Sequence, residues 1–148
     1  MAIGSIFDIP DDVVPDGIRH HRLMVRRFGP LIAVAVAAAA GVLAAMLLVG
    51  SNSAIRGVPG FILAVAAVPT LPLFGVPVMG GNVRWLLALV SSAALWYSVG
   101  VLAARRSTAD VVSSWPEWRR EYLRLAIGVW VGALLGLAVA ATVLSVSL

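Results

Sequence analysis

The chain has 148 residues, of which 61% are hydrophobic and 12% charged, with a mean hydropathy of +0.99 and a formal net charge of +4. A water-soluble domain of this length needs far more polar surface over its core, which excludes an ordinary soluble fold, and the lack of cysteine removes disulfides, thiolate metal sites and cysteine nucleophiles. All 11 basic residues are arginine and they cluster beside apolar runs, which points to anionic lipid head groups and not to nucleic acid.

Residues 1–15 hold Pro10 and Pro15 with Asp8, Asp11 and Asp12, and read as an extended acidic lead-in. Asp16 then stands at a capping position for a short helix through Phe28. On a helical wheel Ile18, Met24, Val25 and Phe28 fall opposite Arg19, Arg22 and Arg26, so this helix is expected to lie in the interface with its arginines, Arg27 included, toward phosphates. The alternative is a basic flank that sets orientation alone. The first apolar run, 31–50, follows Pro30, a residue tolerated in the opening turn of a helix. The polar segment before it is too long for a cleavable secretory signal, so an uncleaved span is expected. Ala33, Ala37, Gly41 and Ala45 recur every fourth residue along it and give a smooth, small-residue face.

The second apolar run, 58–79, is interrupted by Pro59, Pro69, Pro72 and Pro77. Interior proline removes a backbone hydrogen bond and clashes with the turn before it, so a regular helix through Pro69 and Pro72 is not expected. A short helix followed by a bent or re-entrant piece fits better, a possible break in the membrane path. The third run, 83–104, carries Trp85 near one end and Trp96 and Tyr97 nearer the other. After it, Ser114 and Glu117 have the spacing of a capping box opening an amphipathic helix over about 115–124. Trp115, Trp118 and Tyr122 share one face there as expected interface anchors, and Arg119, Arg120 and Arg124 reach the phosphate layer by snorkelling. The last run, 125–148, places Gly128, Gly132 and Gly136 four residues apart, a doubled GxxxG that lets another backbone approach closely.

Each of the four runs is long enough to cross a bilayer as a helix, which takes about 20 residues. The expected fold is therefore all-α: a polytopic integral membrane protein with three or four crossings. Residues 1–29 form an arm and interfacial basic segment, and 30–148 a single transmembrane helical domain. Four crossings split the arginines almost evenly between the two sides. If the proline-rich run re-enters instead, Arg56 and Arg84 alone lie opposite the other nine. The positive-inside rule favours that second arrangement, in the plasma (inner) membrane with a cytoplasmic N-terminus.

Chemistry is hard to support. His20 and His21 are adjacent, point about 100° apart on a helix and lack a completing carboxylate. Ser91, Ser92 and Ser98 have no nearby base, and no phosphate loop or embedded carboxylate pair is present. Small four-helix multidrug exporters have a similar length but depend on a membrane-embedded glutamate, whereas Glu117 and Glu121 lie in the loop region. No metal and no cofactor is expected. The functional expectation is a non-catalytic accessory or scaffold subunit of a larger membrane complex, whose partners are other integral membrane proteins or a second copy. The rival is a small oligomeric transporter, channel or lipid-handling protein using the broken second run, with Thr70, Asn82, Ser91 and Ser92 as polar contacts.

Overall fold

The computed structural model describes residues 17–49, 54–75, 81–109 and 114–146. The acidic arm, Pro77 and the residues between Ala109 and Ser114 lie outside the described residues. Four helices follow in order: α1 (Gly17–Leu48), α2 (Ala54–Ala67), α3 (Asn82–Ser107) and α4 (Trp115–Val146), with a 3-10 turn at Leu71–Phe74 between α2 and α3. Among the described residues there is no strand. Three helical stretches, His20–Leu48, Asn82–Ser107 and Trp115–Val143, are long and apolar enough to cross a membrane. With 14 residues, α2 rises only about 21 Å, short of a hydrocarbon core of about 30 Å.

The outside of the bundle is apolar. Leu43, Met46, Leu86, Leu135 and Val143 are all more than half exposed, a surface that water would not tolerate and lipid would. With no hydrophobic drive between helices in such a solvent, close backbone approach has to hold them together. The tightest approach joins α1 to α3. A Cβ added at Gly100 would stand 2.6 Å from Pro30 Cα and 2.9 Å from Ala33 Cβ. One at Gly29 would stand 2.6 Å from Nε1 of Trp118 on α4. At the other end of α1, Gly60 of α2 leaves just enough room for Leu47 and Leu48. The core around these crossings is made of Val25, Ala33, Val99, Ala103, Trp118 and Ala126, with Trp96 and Tyr122 at its centre.

A first span beginning at Pro30 does not match the helix, which runs unbroken from Gly17 with Pro30 inside it. Proline there lacks an N–H and leaves the Arg26 carbonyl without its helical donor. The compensation is packing, since this is the point where α3 meets the α1 backbone through Gly100. The basic segment and the first span are thus one rod. By contrast, α4 begins at Trp115 and continues without interruption into its apolar part, as expected of a loop helix that runs straight into the last span. Glu117 Oε2 accepts the backbone N–H of Ser114 at 3.2 Å, one half of the capping box.

The pairings also fix the ends. Arg26 of α1 bonds Thr108 just beyond α3, and Gly29 meets Trp118 near the start of α4. The arginine-bearing start of α1, end of α3 and start of α4 therefore lie together. Arg56 and Arg84, at the starts of α2 and α3, lie toward the opposite end.

Candidate functional site

The end of α2 carries the most specific geometry in the chain. The last four carbonyls of a helix lack helical donors and must find others. The natural donor for the Ala66 carbonyl is the N–H of Thr70, which instead bonds Ser92 Oγ at 3.3 Å. That for Ala67 is the N–H of Leu71, which turns back to the Val68 carbonyl at 3.0 Å. Pro69 has no N–H to offer. Two indoles fill the vacant places. Trp96 of α3 donates Nε1–H to the Ala67 carbonyl at 2.9 Å, and Trp130 of α4 donates to Ala66 at 3.3 Å. The two rings meet edge to face, with centroids 6.5 Å apart. Beyond Pro72 the turn closes at Gly75, whose φ of +70° lies in the left-handed region and whose N–H reaches the Pro72 carbonyl.

Thr70, Ser91 and Ser92, expected as polar contacts for an uncharged or lipid-linked substrate, are brought together. Thr70 Oγ1 lies 2.7 Å from Ser92 Oγ, 2.9 Å from Ser91 Oγ and 2.8 Å from the Ala88 carbonyl. Ser91 also reaches the Leu87 carbonyl at 2.7 Å. A consistent arrangement has Thr70 donating to Ala88, Ser92 to Thr70 and Ser91 to Leu87. All three hydroxyl protons are then used inside the protein. The cluster locks the segment after α2 onto α3. Asn82, at the exposed start of α3, stands apart from it.

Two apolar clefts flank α2. One of about 520 Å³ lies between α1, α2 and α3 and is lined by Gly41, Ala45, Leu71, Trp85 and Leu89 among others. The other, of about 440 Å³, lies between α1, α2 and α4 beside Val36, Ile62, Trp130 and Leu134. Their walls are mostly apolar, with Ser92 in the first engaged within the chain and Tyr122 beside the second.

The expected packing residues divide. Ala37 packs on the core shared with α3 and α4, and a Cβ added at Gly41 would stand 3.6 Å from Ala67 Cβ, so the small face of α1 serves neighbours within the chain. Gly128, Gly132 and Gly136 have no atom of another element within 4 Å of an added Cβ. The expected interface residues divide too. Arg26, Arg27, Arg119 and Arg120 are exposed and Arg22 half-buried. Trp118 and Tyr122 face inward: both are buried and stack with centroids 5.1 Å apart, with Trp115 edge-on to Trp118. Pro69 and Pro72 sit at the end of α2 and in the turn after it.

The glycines that make close contact, Gly29, Gly60 and Gly100, and the capping roles of Trp96 and Trp130 were not singled out from the sequence. Gly100 and Ala104, four apart and both buried, did carry a readable small-residue signal. Among the described residues no three His, Cys, Asp or Glu gather as a metal site. Comparison with known protein families, curated proteins and solved structures returns no match. The class the geometry defines is a small all-helical bundle with three helices fit to cross a membrane and a short, indole-capped helix between the first two.

Proposed function

We propose that this chain is a non-catalytic accessory or scaffold subunit of a larger inner-membrane complex, bound to its neighbours through the glycine face of α4. The observation that carries this reading is the contrast between α3 and α4. A third of the apolar stretch of α3 is buried within the chain (33%), against 6% of that of α4. Yet it is α4 that carries three glycines at four-residue spacing with nothing against them. Glycine in an exposed helix face has a conformational cost and no packing return, so such a face suits a second backbone better than lipid.

In this reading α1, α3 and α4 cross the bilayer, while α2 and the turn after it enter and leave on one side. The shortness of α2 supports this, as do its contacts. Ala67 lies against Trp96, and Thr70 and Leu71 then lie against Ala88 and Ser92, stepping back toward the start of α3. The capped carbonyls make such a break tolerable, because irregular backbone at membrane depth needs protein cover. The arginine-rich end is cytoplasmic, in contact with anionic head groups.

The two clefts beside α2 favour a second reading, a lipid-handling protein whose walls hold hydrocarbon chains. The hydroxyls of Thr70, Ser91 and Ser92 are engaged with one another and with α3 carbonyls, which weighs against a path for polar solutes. The test is Gly132→Leu in the tagged chain, with Val131→Leu as control. The scaffold reading expects the glycine variant to lose its companion or its self-association while the control keeps it. Equal recovery from both would remove the ground for it.

A further inference from the structure

We propose that the notch between the arginine-bearing ends of α1 and α3 binds the head-group phosphate of an anionic phospholipid. The proposal rests on the reading that this end meets the head-group layer. A cavity of about 430 Å³ opens there, lined by Arg26, Val101, Ala104 and Arg105.

Arg26 is oriented before any ligand arrives. Its Nε donates to Thr108 Oγ1 at 3.0 Å. Thr108 is 2% exposed, and its own hydroxyl proton goes to the Ala104 carbonyl at 2.7 Å, so its oxygen presents a lone pair to the arginine. With Nε held, the guanidinium plane is fixed and both Nη groups remain for the cavity. A planar, pre-set fork of N–H donors matches two phosphate oxygens. Arg105 lines the same notch as a second positive charge. Among the described residues no carboxylate lies within ion-pair distance of either, in contrast to Arg124, which is held by Glu121 at 2.6 Å.

The floor and rim decide between a lipid and a free ion. Val101 and Ala104 give the notch a hydrocarbon base. The flanking helix surfaces carry exposed Leu23, Met24 and Leu102, over which acyl chains would lie. Two positive charges with no acid paired to them among the described residues favour a lipid of net negative charge over a zwitterionic one.

The experiment is native mass spectrometry of the detergent-purified full chain, titrated separately with phosphatidylglycerol, phosphatidylcholine and inorganic phosphate. Arg26→Gln and Arg105→Gln are compared with Arg56→Gln, which lies toward the opposite end. Arg105 makes no side-chain bond within the described chain, so its variant keeps the fold even if Arg26→Gln does not. Loss of one charge-assisted contact is expected to raise the phosphatidylglycerol concentration for half occupancy about tenfold in each notch variant. Arg56→Gln should match the parent, and Thr108→Val should weaken binding while keeping every charge. Equal occupancy across the variants, equal binding of phosphatidylcholine, or displacement of lipid by inorganic phosphate would each overturn the site. A chain released from membranes without detergent would overturn the underlying reading instead, which keeps the two failures apart.

Discussion

Trp96 holds the end of α2 by one hydrogen bond, and its value lies in what removing it would leave behind. With Trp96→Phe the Ala67 carbonyl loses its donor in a buried place, at a cost of about 1–3 kcal/mol. Thermal unfolding in detergent should register that loss. Trp130→Phe should cost less, because its bond is longer and the ring is 40% exposed. Equal and negligible effects would mean that the carbonyls are satisfied some other way. Thr70→Val belongs to the same scale: it removes the centre of the hydroxyl cluster, leaves the Ala88 carbonyl with one donor fewer, and should destabilise by a similar amount. Pro69 and Pro72 are conspicuous in the sequence because the chemistry of proline is local, and α2 ends at Ala67, two residues before the first of them. The sequence did not make the indole caps legible. Helical spacing tells which face Trp96 occupies but not which carbonyl waits opposite, and an aromatic near a span end reads by default as an interface anchor.

Among the elements, the close crossings separate two kinds of glycine. At Gly100 a Cβ would meet backbone, which cannot step aside, so Gly100→Ala should force α1 and α3 apart and lower stability by about 3 kcal/mol. Gly132→Ala has open space around it and should leave the isolated chain's unfolding unchanged, or slightly raise it through better helix propensity. Unfolding of the two variants in the same detergent checks the contrast, and a large loss at Gly132 would mean that α4 packs within the chain. Spacing alone pointed to the α4 glycines because three in register form a conspicuous pattern. Gly100 has only Ala104 four residues on, a fainter small-residue signal, and Gly29 and Gly100 owe their contacts to partners across space, Trp118 and Pro30. The continuity of α1 through Pro30 was hidden for the same reason: a proline marks a helix start locally, and only a neighbouring helix makes an interior one tolerable.

At the scale of the molecule, hydropathy made plain an all-helical class with helices long and apolar enough to span a membrane, since run length and charge content are read directly from the residues. It left the number of crossings open, because a run that re-enters is as apolar as one that crosses. The arrangement proposed above puts Ile55 and Ala109 on opposite sides of the membrane, whereas four crossings would put them on the same side. The absence of cysteine makes single-cysteine labelling clean. An impermeant maleimide applied to intact cells should label Ile55→Cys and spare Ala109→Cys until the membrane is opened. Labelling of both, or of neither, would favour four crossings.

The central claim is that the uncovered face of α4 belongs against another protein. The most direct measurement is purification of the tagged chain at native expression in a gentle detergent, with mass spectrometry of the intact particle. Stoichiometric recovery with other integral membrane proteins, or as a defined oligomer lost in Gly132→Leu, is the result expected. A monodisperse single chain with no companion, unaffected by that substitution, would contradict it.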